Sequence, residues 1–264
     1  MKGDGQNSNA PVLTRTEGDV LWITINGAES RNALSNPVID GLAAGIRQAE
    51  ESSIRAIVVT GAGDRAFCAG ANLKADSKTF GFDYSQPNTA YADLLRAAAV
   101  CSVPLIARVN GHCMAGGMGV LSMCDMAVAA STAKFGLPEV KIGLFPMQVA
   151  ALLQRVMPPR KFAELCITGE PISADEALAC GLLNYVVAPE ELNAKIAWLV
   201  SRIVDKSPTA IRRGKYALRY MSGMSFGDAL AYAEAQIGTL VLTEDAKEGM
   251  KAFNEKRAPV WTGR

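Results

Sequence analysis

The stretch VNGHCMAGGMGVLSMCDMAVAASTAKFGLPEVKIGLFP, residues 109–146, decides how the chain is read. It begins at the end of one short apolar run, PLIARVNG (104–111), and passes through another, MAVAAS (126–131), directly after Asp125. Such runs read as strands buried on both faces. From Arg108 to Asp125 there is no charged residue, and Gly116, Gly117 and Gly119 stand in the middle. A strand that ends in small residues and opens a helix leaves amide N–H groups without an intrahelical partner, and no bulky side chain keeps a ligand oxygen away from them. A second segment of this kind, AFCAGANLK (66–74), follows the apolar run IRAIVVTG (54–61). Side by side the two could hold one oxyanion. Close packing of helix on strand explains either one alone equally well. Neither segment is a GxGxxG fingerprint or a GxxxxGK[ST] loop.

Working outward, VLTRTEGDVLWITIN (12–26) alternates apolar and polar residues around Gly18, the pattern of a tight hairpin. A helix follows, with Asn36 as its cap, Pro37 in its first turn, and Val38, Ile39, Leu42, Ile46 and Ala49 on one face. Strands alternating with helices argue for an α/β fold with a parallel or mixed sheet and crossover helices. From residue 147 the pattern turns helical, and Ser173 with Glu176 reads as a capping box. TFGFDYSQPNTAY (79–91) reads as a mobile loop.

Composition narrows the function classes. With 264 residues and 49% hydrophobic content the chain has ample material for a core. Lys and Arg number 27 against 26 for Asp and Glu, so a net charge of +1 gives no field for holding nucleic acid. The six cysteines have no metal-ligand spacing and interrupt apolar runs as small hydrophobes do, which fits a reducing compartment. No apolar run approaches the roughly 18 to 20 residues of a membrane span. MKGDGQNSNAP (1–11) lacks the apolar centre of a secretory signal. The expectation is a cytoplasmic protein with a disordered N-terminus, residues 1–11.

Glu139 is the one acidic residue between Asp125 and Glu164, and Leu137, Pro138, Val140 and Ile142 surround it. Two readings are open. Burial would raise its pKa into the range where a carboxylate both takes and gives a proton, whereas exposure beside Lys141 would leave it an ordinary surface charge.

SRNALS (30–35), AFCAGANLK, the 109–146 stretch, TGEPISADEALACGLLNYVV (168–187) and EDAKEGMKAFNEKRAPVWTGR (244–264) together resemble the crotonase superfamily, the enoyl-CoA hydratases and isomerases, from about Val12 to Arg264. The resemblance implies a crotonase-like spiral of ββα units over residues 12–200 and a C-terminal helical trimerisation region over 201–264. It also implies homotrimers or dimers of trimers. The implied substrate is an acyl-CoA thioester, with no cofactor beyond the coenzyme A that the substrate carries. By motif position, the amides of Ala71 and Gly116 hold the thioester oxygen and Glu139 moves the proton. The resemblance places coenzyme A against Cys68, Ala69, Gly70, Asn72, Leu73 and Lys74. Its phosphates fall near Arg31, and Phe253 and Lys256 of the same or a neighbouring subunit fall near the nucleotide. Gly117 and Gly119 also belong to the substrate site.

One departure matters. Hydratases of this superfamily usually carry two glutamates, and this chain has Gly119 where the first would stand. One base suffices for a double-bond shift, while hydration shares its work readily between two carboxylates. The expectation is therefore an enoyl-CoA hydratase/isomerase-type enzyme. The alternatives are an isomerase without hydratase activity and a thioester-binding protein with little catalysis. Gln148 is a candidate for orienting a water. His112 reads as a packing or hydrogen-bonding residue, Asp125 as a structural cap or ion-pair member, and Arg212, Arg213, Lys215 and Arg219 as a solvated helix face.

Overall fold

The computed structural model describes residues 9–72, 85 and 88–264. The alternating segment folds into antiparallel strands β1 (Val12–Glu17) and β2 (Val20–Ile25), with Gly18 at φ +56° in the turn. β2 pairs in parallel with β3 (Ala56–Gly61), β3 with β5 (Leu105–Val109), β5 with β7 (Met126–Ala130) and β7 with β10 (Tyr185–Val187). Every residue of β3 is buried, which is why it reads as an unbroken apolar run. Its alternate side chains serve two cores. Ile57 and Val59 pack with the helices on one face, whereas Val58 packs with Ile106, Val128 and the helix α7 (Leu192–Val204) on the other.

A second sheet is built from very short strands: β4 (Ala66–Cys68), β6 (His112–Met114), β8 (Lys134–Gly136) and β9 (Ile172–Ser173). The first three are parallel and β9 runs against β8. From β3 onward, three successive turns of the chain each give a longer strand to one sheet and a short strand to the other. Helices α2 (Ala90–Val100) and α3 (Gly116–Ser122) then close the first two of these turns. This is the expected spiral of ββα units.

Helix α1 (Asn36–Glu50) buries the five predicted residues and Gly45 as well. Its cap is Ser35 rather than Asn36, one residue earlier than the sequence suggested. Helices α4 (Met147–Leu153), α5 (Pro159–Thr168) and α6 (Ala174–Ala179) follow, and Ser173 and Glu176 form the expected capping box. The chain ends in α8 (Pro208–Met221), α9 (Phe226–Leu240) and α10 (Glu244–Asn254). At the start of α10 the buried Asp245 carboxylate accepts from the Ser207 hydroxyl and from the amides of Thr262 and Gly263, tying the tail to α8. The basic residues of α8 are more engaged than a solvated face requires. Lys215 pairs with Asp125 at 2.7 Å, Arg212 donates to the Gly263 carbonyl, and Arg213 donates to Thr239. Among the described residues no helix is long and apolar enough to cross a membrane.

Candidate active site

Three parallel strands of the small sheet release their chains on one edge, and the predicted residues emerge there. β4 ends at Cys68 and leads to Ala69, Gly70, Ala71 and Asn72; β6 ends at Met114 and leads to Ala115, Gly116 and Gly117; β8 ends at Gly136 and leads to Glu139. The Ala115 amide donates to the Gly136 carbonyl at 2.9 Å, extending the ladder to the brink of the third loop.

The first two loops meet with no room to spare. A Cβ on Gly70 would lie 2.6 Å from the Ala115 Cβ and 3.1 Å from the Gly116 nitrogen, and one on Gly117 would lie 2.3 Å from the Cys68 carbonyl oxygen. These glycines therefore serve close packing and bring the two backbones together at once; the two readings of them are compatible. Gly70, at φ +86°, also adopts a conformation that other residues rarely take.

The Ala71 amide is left over by the geometry of its own pairing. Leu34 bridges to Ala71 in parallel, and that bridge uses the Gly70 carbonyl, which accepts from the Leu34 amide, and the Asn72 amide, which donates to the Leu34 carbonyl. The intervening Ala71 N–H stays outside the ladder. Gly116 is the first residue of α3, so its N–H has no intrahelical acceptor. Among the described residues neither amide has a backbone acceptor. Arg31 belongs to the same frame, since its carbonyl accepts from the Ala69 amide, while its side chain is exposed.

The structure resolves the two readings of Glu139. Lys141 turns to Glu170, with an ion pair of 2.7 Å, and Glu139 lies in a short 3₁₀ helix, Pro138–Ile142, with its Oε2 buried and without a hydrogen-bond partner among the described residues. Burial raises its pKa above the ordinary carboxylate value, against a smaller lowering by its own backbone. A partly desolvated carboxyl of this kind suits proton transfer near neutrality.

Gly119 lies on α3 with its Cα facing Tyr91, a residue the sequence did not single out. The Tyr91 hydroxyl donates to the Gly116 carbonyl at 2.5 Å. Its signal was hidden because Tyr91 closes the segment read as a loop, whereas α2 in fact begins at Ala90. Gln148 is exposed and its amide donates to the Thr89 hydroxyl at 2.6 Å, so it braces the start of α2. His112 is exposed and its Nδ1 accepts from the Lys134 amide, the hydrogen-bonding role expected of it. Asp125 accepts from the Leu105 amide and pairs with Lys215, the expected structural role.

Phe253, in the last turn of α10, and Lys256, just beyond that helix, are both exposed, and α10 packs against α8. Leu73 and Lys74 lie outside the described residues, as does most of segment 79–91.

Comparison with known proteins agrees with this architecture. Residues 15–264 match the family model described as enoyl-CoA hydratase/isomerase. The chain is 34% identical to the mitochondrial enoyl-CoA hydratase domain-containing protein 3 of Xenopus laevis, over 97% of this chain and 87% of that one. It is 33% identical to the short-chain-enoyl-CoA hydratase of Clostridium acetobutylicum, over 93% of this chain and 95% of that one. The crystal structure of human enoyl coenzyme A hydratase domain-containing protein 3 matches with a TM-score of 0.90 at 30% identity, over 95% of this chain and 100% of that one.

Proposed function

Because this chain belongs to the enoyl-CoA hydratase/isomerase family, we propose that it binds an unsaturated acyl-CoA with the thioester oxygen between the Ala71 and Gly116 amides, and that Glu139 moves the proton. The observation that carries this reading is the buried Oε2 of Glu139, without a partner among the described residues, on the same sheet edge as two amides that have no backbone acceptor among those residues. When a proton leaves or reaches the carbon next to the carbonyl, negative charge develops on the thioester oxygen, and fixed donors aimed at it stabilise the transition state. Each such donor is worth about 2.7 to 4 kcal/mol. In a double-bond shift, Glu139 takes a proton from C2 of a 3-enoyl chain and returns it at C4. In hydration, water oxygen adds to C3 and a proton is delivered to C2.

The double-bond shift is the second reading, and Gly119 favours it, since position 119 itself carries no carboxylate to share the work of hydration and the described atoms nearest to it belong to Tyr91 and Val149. Arg31, Cys68, Ala69, Gly70, Asn72, Leu73 and Lys74 are assigned to coenzyme A, with Gly117 and Gly119 beside the acyl group. The chemistry requires no cofactor. Residues 201–264 are assigned to subunit contacts in a homotrimer or a dimer of trimers, which would also bring Phe253 and Lys256 to a nucleotide. The free cysteines suit the cytoplasm.

The test is turnover of 2-enoyl-CoA and 3-enoyl-CoA by the wild type beside Glu139→Gln. Activity on either, reduced by at least about a hundredfold in the variant, supports the enzyme. The wild-type rate is expected to fall on the acid side at a pH above the ordinary carboxylate range, because Glu139 must be ionised to take a proton and its pKa is raised. Tight binding of both esters with turnover of neither would overturn catalysis in favour of a thioester-binding protein.

A further inference from the structure

The volume over Gly119 is already taken. A Cβ there would lie 2.0 Å from the Tyr91 hydroxyl oxygen, 3.2 Å from its Cζ and 3.4 Å from a Val149 methyl. The same hydroxyl lies 3.7 Å from where a Cβ on Gly116 would sit and donates to the Gly116 carbonyl. Tyr91 is itself held from behind. Thr89 caps α2 by accepting from the Ala92 amide, and Gln148 of α4 donates to the same Thr89 oxygen. What the hydroxyl grips needs gripping. Ala115 has φ +50° and ψ −125°, a backbone state that a residue with a Cβ rarely adopts, and no side chain caps the turn that follows it.

We propose that Tyr91 is a positioning residue for the reaction: its hydroxyl clamps the Gly116 carbonyl, thereby fixing the turn that presents the Gly116 amide, and it closes position 119 to any second proton-carrying side chain. This rests on the function proposed above. Burial, with Cys68, Cys113 and Glu139 nearby, pushes the phenol well above its ordinary pKa, so it stays a donor and leaves Glu139 as the proton carrier.

The experiment follows exchange of the C2 protons of butyryl-CoA with deuterium oxide, which requires only enolate formation and is indifferent to hydration or isomerisation. The proteins are the wild type, Glu139→Gln, Tyr91→Phe, Gly119→Ala and the Tyr91→Phe/Gly119→Ala pair, each with its melting temperature. Tyr91→Phe keeps the ring and is expected to lower the saturated rate by about 10- to 100-fold, with KM changed by less than about threefold. Gly119→Ala displaces the hydroxyl and should lose a similar factor. The double variant should lose no more than the worse single one, since both break one contact. If Tyr91→Phe fails to fold, Gly119→Ala carries the test, and a wild-type rate in it overturns the proposal. Exchange by Tyr91→Phe at the wild-type rate, or losses that multiply in the double variant, would overturn the proposal while leaving the function intact. A folded wild type that exchanges nothing would overturn the function, and the role of Tyr91 with it.

Discussion

Helices α1 and α9 are both 15 residues long, and each presents a run of apolar side chains. α1 buries six residues against β1, β2, β3 and α2. α9 buries none: Phe226 is 84% exposed, and Leu230 and Ile237 are more than half exposed. Tyr216 and Leu218 of α8 and Met250 and Phe253 of α10 are likewise more than half exposed. The contrast separates two sources of order. α1 covers its apolar face within one chain, while α9 leaves its own uncovered, as a helix with a further partner would. This surface supports the subunit contacts proposed for residues 201–264.

The contrast can be broken most forcefully with matched leucines. Leu42→Ala in α1 empties a fully buried position and is expected to cost about 2 to 5 kcal/mol at any protein concentration. Leu230→Ala in α9 should change the stability of the dissociated chain by no more than about 0.5 kcal/mol and instead weaken association. Denaturant unfolding at low and high protein concentration separates the two, and equal losses at both sites would erase the distinction. Matched glycines sharpen it with a smaller effect. Replacing a helical Gly with Ala gains up to about 1 kcal/mol in helix propensity, and at Gly238, in the last turn of α9, nothing lies within 4 Å to oppose the smaller gain expected there. At Gly45 the new methyl would sit 2.6 Å from Ile23 Cδ1, so an overpacking cost of about 1 to 3 kcal/mol offsets or reverses the gain. Thermal unfolding should move upward for Gly238→Ala and downward or not at all for Gly45→Ala.

A further effect, read against pH, belongs to the C-terminal tail. Burial opposes the charge of Asp245, but bonds from Ser207, Thr262, Gly263 and Thr209 outweigh it and lower its pKa from 3.8 to about 2. The unfolded chain takes up this proton near pH 4 and the folded chain only near pH 2. The stabilisation is therefore whole above about pH 4 and is lost as pH falls toward 2. Asp245→Asn should flatten that part of the stability profile, as read by urea midpoints between pH 2 and pH 5.

What the sequence disclosed and what it withheld divide along a physical line. α1 was readable residue by residue because a helix packed on one face repeats its apolar positions every three or four residues. β3, β5 and β7 were readable because strands covered on both sides become largely apolar runs, broken in β5 only by the half-buried Arg108. The second sheet was not, since its strands have two or three residues and no period can show in so few. The glycine loops disclosed that backbones approach closely but not that both purposes hold together. Glu139 could not be assigned from spacing, because spacing shows neither the burial of its Oε2 nor that Lys141 pairs with Glu170 instead. Tyr91 was out of reach for a related reason: its meaning lies in contacts with Gly116 and Gly119, more than twenty positions along the chain.

Cys68 and Cys113 lie in adjacent strands beneath the loops of the candidate site, both fully buried, and burial pushes the Cys68 thiol up to about 12. Sulfur reacts as the thiolate and must be reached from solvent. These two sulfurs are thus poorly placed to meet oxidants and electrophiles, and they serve the cradle above as small apolar filling.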